Sequence, residues 1–224
     1  MLDFDLRSGR TSYQSADRLI DLIRDRALEV DWILETHVHA DHLTAAPYLR
    51  RRLGGRIGIG AGVVEVQRHF RPVFNPETGF PSDGSQFDHL FADEERFSVG
   101  EVEGRVLFTG GHTNDSVSYV IGDAVFVGDT LFMPDGGTAR CDFPGGDAGR
   151  LYDSIQRIFA LPDETRLFVC HDYQPDGREV RWETTVGEQK ARNIHVGAGR
   201  DRDAFIRMRT ERDRTLALPT LIVP

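Results

Sequence analysis

Four metal-competent side chains fall within six residues, His37-Val38-His39-Ala40-Asp41-His42, directly after the apolar run VDWILET at residues 30–36. Three more candidates follow singly: His112 in TGGHT, Asp129 in VGDT and His171 in VCHDY. Imidazole and carboxylate are standard ligands for zinc, iron and related divalent ions. A lone histidine is ordinarily a packed or solvated residue, but seven such groups at the ends of apolar runs need many coincidences. The chemistry they point to is metal binding.

Each of these residues sits at or just past the end of an expected strand, so one rim of a sheet must gather them. Upstream, residues 13–29 carry apolar side chains at helical spacing, with Thr11 or Ser12 as the expected N-cap. Residues 30–36 read as a short buried strand, 43–53 as a helix closed by Gly54-Gly55, GRIGIG as a strand, and 63–70 as a helix. Residues 71–86, with Pro72, Pro76, Gly79, Pro81 and Gly84, read as a long loop. Strands are expected at 96–100, 105–110, 116–122 and 124–132, the last two joined by a turn at Gly122-Asp123. A helix at 148–161 and a strand at 165–170 follow, then polar helical pieces near 183–193 and 201–214. Gly110-Gly111 and Gly128 suit close backbone approach to an ion. The mixture of helix–strand alternation and hairpin strands implies α+β layers.

The 224 residues fit one α/β domain with room for a substantial core. A net charge of −9 argues against nucleic acid, which is usually met by a basic face. No apolar run approaches a membrane span, and no leader is visible after the acidic opening with Asp3 and Asp5. Two cysteines form no disulfide framework, so the expected location is cytoplasmic.

The set H-x-H-x-D-H, then a histidine, an aspartate after a strand and a last histidine, resembles the metallo-β-lactamase superfamily over about residues 30–173. That resemblance implies an αβ/βα sandwich with the site at one edge of two facing sheets. The strings THVHADH, TGGHT, VGDTLF, GTARCDFPGG and CHDY together resemble the persulfide (sulfur) dioxygenases, which are similar to glyoxalase II in fold. The resemblance implies one Fe(II) per chain, held by His37, His112 and Asp129, with glutathione persulfide and O2 as substrates and sulfite and glutathione as products. His39, Asp41, His42 and His171 then surround the iron ligands or, in a hydrolase, hold zinc or a second metal. Two histidines and a carboxylate on one face match non-haem iron sites, leaving about three coordination positions open. A binuclear hydrolase would instead use all seven residues to generate a hydroxide.

The resemblance also implies that Arg140, in ARCDF, binds a glutathione carboxylate, which a planar guanidinium suits. A surface salt bridge is the plain alternative. Tyr173 is implied to contact substrate, with simple packing as its alternative. Asp142 and Asp172 are expected to orient ligand imidazoles. Cys141 reads as a small spacer or a substrate-adjacent thiol, and Cys170 as a core residue. His69, His89 and His195 lie outside the motifs and carry no assigned role.

The competing activity is a glyoxalase II-type hydrolase of glutathione thioesters, with zinc or a binuclear centre. Against it stand the HDY and ARCDF strings and a short polar C-terminal extension at 174–224. A degenerate binding protein fits less well, because all seven ligand positions are filled. Residues 1–224 are expected to form a single domain, its metal-site core at 30–173, lacking some N-terminal strands of the superfamily. A missing edge strand would leave backbone groups for self-association, hence the expectation of a homodimer.

Overall fold

In the computed structural model, which describes residues 1–39, 43–74, 77 and 79–217, a hairpin of β1 (Asp3–Asp5) and β2 (Arg10–Ser12) leads into α1 (Gln14–Asp25). Then β3 (Trp32–Leu34), β4 (Arg56–Gly60) and β5 (His89–Phe91) form a parallel sheet in that order. Helices α2 (Ala46–Leu53) and α3 (Val63–Phe74) lie in its crossovers. Next come β6 (Arg96–Val99), β7 (Val102–Phe108), β8 (Val117–Ile121), β9 (Ala124–Phe126), α4 (Ala148–Phe159), β10 (Arg166–Phe168), β11 (Glu183–Thr185), α5 (Val186–Arg192) and α6 (Arg202–Asp213). The strands from β6 onward build a second sheet in the order β11-β10-β9-β8-β7-β6, parallel only between β9 and β10.

The two sheets face each other. Phe91 of β5 packs with Phe97, Val106, Val117 and Tyr119 of the larger sheet, and Trp32 and Leu34 of β3 border the cluster. On the other side, α4 repeats apolar side chains at i, i+4 and i+7, so Leu151, Ile155 and Ile158 share a face. That face is fully buried against Val125, Val127 and Leu167. Each such side chain stabilises the fold by about 1.5–3 kcal/mol through loss of apolar surface to water. Asp147 caps α4 by accepting the Arg150 N–H at 2.7 Å, and Asp201 caps α6 in the same way from Ala204 at 2.9 Å. The layers are therefore helix, sheet, sheet, helix: the expected α+β sandwich.

Several local expectations shift. Thr11 and Ser12 do not cap α1. They belong to β2, and Tyr13 precedes the helix without a side-chain cap. Helix α3 runs on to Phe74, because Pro72 sits in its last turn, where a missing N–H removes a single bond. The strand expected over 124–132 stops at Phe126: Gly128, at φ +52°, opens a 3₁₀ turn over Gly128–Thr130 that turns the chain around Asp129. The piece expected as helix from 183 begins as β11, since Glu183–Thr185 pair with Arg166–Phe168. Cys170 is exposed rather than in the core, because β10 ends two residues earlier. The turn at Gly122 is as expected, with Ile121 opposite Ala124 and Gly122 at φ +59°.

Candidate metal centre

Chain reversals at the ends of four strands bring the candidate ligands to one rim. His37 follows β3, His112 follows β7, Asp129 follows β9 and His171 follows β10. One donor atom from each of His37, His39, His112 and Asp129 lies within 4.8 Å of every other. The Asp129 Oδ2 atom is 3.8 Å from His37 Nε2, 3.6 Å from His112 Nε2 and 3.5 Å from His171 Nε2. With bonds of about 2.0–2.2 Å, two donors on one ion lie at most about 4.4 Å apart, so these spacings fit a shared cation. Asp41 and His42 lie outside the described residues.

Neighbouring groups aim the imidazoles. His112 Nδ1 lies 2.7 Å from the Arg140 carbonyl oxygen, so Nδ1–H donates there and Nε2 is left for the cluster. His37 Nδ1 meets the Thr36 hydroxyl at 3.0 Å, which again turns Nε2 inward. The residue after it is held too: Val38 donates its N–H at 3.0 Å to the buried Asp115 carboxylate. Gly128 permits the approach of this turn to β3's exit, since a Cβ there would lie 2.8 Å from Thr36. The glycines near the ligands thus clear space for protein neighbours, not for an ion: a Cβ on Gly111 would strike the Leu151 backbone at 2.4 Å.

Burial by itself would raise the Asp129 pKa. The hydrogen bond to His171 and the fields of His37, His171 and His112 overcome that and hold the carboxyl well below its ordinary range. Its Oδ1 is buried with no hydrogen-bond partner among the described residues. An ionised carboxylate with a buried oxygen left unpaired by the described residues, facing converging imidazoles, suits a bound cation that would balance charge and coordination together. The His/Asp cluster is a divalent-metal site.

Arg140 and Tyr173 both reach the cavity beside this cluster, as do Phe132 and Phe143. The Arg140 Nε and Nη2 atoms each lie 2.6 Å from Asp142, and Nη1 donates to the Ala217 carbonyl at 2.8 Å. Asp142 therefore serves Arg140 and not an imidazole. Asp172 likewise takes two 2.7 Å bonds from Arg178, which with backbone N–H groups of Arg181 and Gln174 lower its pKa to about 2. Tyr173 stands exposed at the rim, edge-on to Phe132 with centroids 5.2 Å apart. Cys141 is buried in the ARCDF loop, and burial pushes its thiol pKa far up, so it is an inert spacer.

Three cavity residues escaped the motif reading: His195, Arg209 and Arg212. For the two arginines the latent signal was the R-x-x-R-D spacing at 209–213, which places Arg209, Arg212 and Asp213 along one stretch of α6. His89, by contrast, is a structural partner of Glu95 at 2.6 Å. No helix among the described residues is long and apolar enough to cross a membrane.

Comparison with known proteins agrees with this geometry. The chain is 55% identical over 223 residues to the beta-lactamase hydrolase-like protein of Xylella fastidiosa strain Temecula1, covering 100% of this chain and 51% of that protein. It is 50% identical over 226 residues to glyoxylase B2 of Dictyostelium discoideum, covering 100% of this chain and 77% of the relative. The chain thus spans about half the length of the first of these. The crystal structure of ETHE1 from Myxococcus xanthus superposes with a TM-score of 0.74 at 32% identity, covering 99% of this chain and 88% of that one. A sequence model described as the metallo-beta-lactamase superfamily matches residues 8–171, which include every strand-end ligand described above. By sequence and by fold alike, the chain belongs to the metallo-β-lactamase superfamily.

Proposed function

We propose that the protein is an iron-dependent persulfide dioxygenase. It oxidises glutathione persulfide with O2 and water to sulfite and glutathione. The terminal sulfur loses four electrons and O2 gains four, with water supplying the third sulfite oxygen and two protons released at neutral pH. The observation that carries this reading is the opening of a cavity directly onto His112 and Asp129, walled by Arg140 and Tyr173. The likeness to the ETHE1 structure along nearly the whole chain supports it.

His37, His112 and Asp129 would hold the iron. Bound there, ferrous iron supplies oxygen activation and a binding position for the substrate sulfur. The chain does the rest. Thr36 and the Arg140 carbonyl orient two imidazoles before substrate arrives, so no reorganisation is needed during reaction. Phe143 packs edge-on to His39 and His112, with centroids 4.8 and 5.7 Å away, and keeps water from that side. Arg140, whose guanidinium lies 4.9 Å from the Phe143 ring centroid, and Tyr173 at the rim contact the thiol moiety. A cytoplasmic location fits a chain with two cysteines and no disulfide framework.

The test is anaerobic loading with ferrous iron, followed by oxygen uptake and sulfite measurement on adding glutathione persulfide. Uptake matched by sulfite is expected. A metal-replete protein that consumes no oxygen overturns the reading.

A second reading is a zinc or binuclear hydrolase of glutathione thioesters, favoured by His39 standing within the donor cluster and by the glyoxylase B2 relative. Thioester turnover by a zinc-loaded preparation without oxygen uptake would establish it instead.

A further inference from the structure

Asp115 is 1% exposed, and its Oδ1 atom is buried with no hydrogen-bond partner among the described residues. An acid in that setting is costly, because burial removes the water that a carboxylate otherwise binds. Nor does it belong to the cluster of converging donor atoms, which come from His37, His39, His112 and Asp129. Its Oδ2 atom accepts the Val38 N–H at 3.0 Å. Val38 is the residue between two of those donors, His37 and His39.

The surroundings show why a side chain makes this bond. Phe126, the last residue of β9, lies opposite Tyr119, and the same antiparallel register would set Gly128 opposite Val117. The chain turns away at Gly128, and the exit of β3 takes that edge of β8 instead. The Thr36 carbonyl accepts the Val117 N–H at 2.9 Å, and the Glu35 carbonyl accepts the Tyr119 hydroxyl at 2.8 Å. Asp115, Val117 and Tyr119 recur at every second residue, so they lie in line along β8 and its lead-in. Together they hold the backbone from Glu35 to Val38. Of the three, Asp115 alone binds within the stretch that bears two imidazoles, and its carboxylate oxygen stands in for a ladder carbonyl. Gly62 leaves room for it, since a Cβ there would lie 2.9 Å from the Asp115 Cα.

We propose that Asp115 is a positioning residue of the metal centre. By holding the Val38 N–H it fixes the backbone between His37 and His39, and so the spacing of their imidazoles before an ion arrives. Thr36 and the Arg140 carbonyl orient individual rings, whereas Asp115 orients the main chain that carries two of them. Groups behind metal ligands typically change metal affinity by about 10–100-fold. The role concerns retention of the ion and is the same for a dioxygenase or a hydrolase.

The experiment loads the protein anaerobically with ferrous iron, adds an excess of a colour-forming ferrous chelator, and follows the rate of iron release. Cobalt(II)-substituted protein supplies a second readout, the ligand-field absorption of the same site. Asp115→Ala should release iron roughly tenfold faster or more and alter the cobalt bands. Asp115→Asn keeps an oxygen acceptor for the Val38 N–H, and should return both the release rate and the bands close to wild type. Thr109→Val removes a different buried hydrogen bond of β8, the 2.9 Å contact between the Thr109 and Ser118 hydroxyls. It should lower the urea midpoint and leave iron release unchanged, which separates positioning from a general loss of stability. Unchanged release in Asp115→Ala, an Asp115→Asn rate nearer to the alanine variant than to wild type, or equally fast release from Thr109→Val overturns the proposal. If Asp115→Ala does not fold, Asp115→Ser, whose hydroxyl stops short of the Val38 N–H, is held to the same outcomes. Neither oxygen nor a thiol enters the assay, so a failed dioxygenase reading leaves this result standing, and the reverse also holds.

Discussion

Arg209 and Asp213 form an ion pair with side-chain exposures of 2% and 6%, the Arg209 Nε lying 2.9 Å from Asp213 Oδ1. The same two side chains fasten the loop that carries Arg140. Arg209 donates to the Thr138 carbonyl at 3.1 Å, and Asp213 accepts the Cys141 N–H at 2.9 Å. One turn of α6 thereby holds both ends of the segment whose Arg140 carbonyl orients His112.

Breaking this pair should be costly, because the surviving charge stays buried. Asp213→Ala should lower unfolding stability by about 3–5 kcal/mol, read as a shifted urea midpoint. The double change Arg209→Met with Asp213→Leu should cost much less, since it leaves no buried charge behind. A single variant with unchanged midpoint would show that the pair contributes little.

Metal retention should depend on Asp129 above all. Asp129→Ala removes the carboxylate that lies within 3.8 Å of three imidazoles, and should abolish stoichiometric metal binding. Elemental analysis after gel filtration checks it. Full metal content in this variant would move the ligand assignment elsewhere.

The buried His195 predicts a specific loss of stability in acid. As pH falls through 6.5 the unfolded chain takes up a proton on this residue, whereas the native ring stays neutral until about 4. The unfolded state thus binds the extra proton, and stability falls across that window, by up to about 1.4 kcal/mol per pH unit. Denaturation midpoints measured from pH 7 to 4 should show a shallower decline in His195→Asn.

Thiol accessibility should separate the two cysteines. Cys170 is exposed, while Cys141 is buried with its pKa pushed up. A small aromatic disulfide reagent should titrate one thiol in the native protein and a second only after denaturation. Rapid reaction of both would place Cys141 in an open loop.

The ligand motif was legible in the sequence because the groups that bind a metal are chemically rare, and four of them sit within six residues of one another. Strands were legible for a related reason: short apolar runs bounded by glycine announce themselves locally, as at Gly122. Their ends were less so. Phe126 stops β9 because a positive-φ glycine turns the chain toward Asp129, a backbone choice that residue type permits but does not demand.

What the sequence determined by itself is the chemistry: a divalent-metal centre of histidine and aspartate, set at strand ends in an α+β sandwich. What only the tertiary structure decided is how the charges are distributed around that centre. Arg140, Arg209 and Arg212 are alike as letters. One is taken by a neighbour two residues away, one by a buried acid a turn along its helix, and one borders the cavity with no carboxylate partner among the described residues. Whether a charge is available depends on the distance to its nearest opposite charge and on the water between them, and long-range packing sets both.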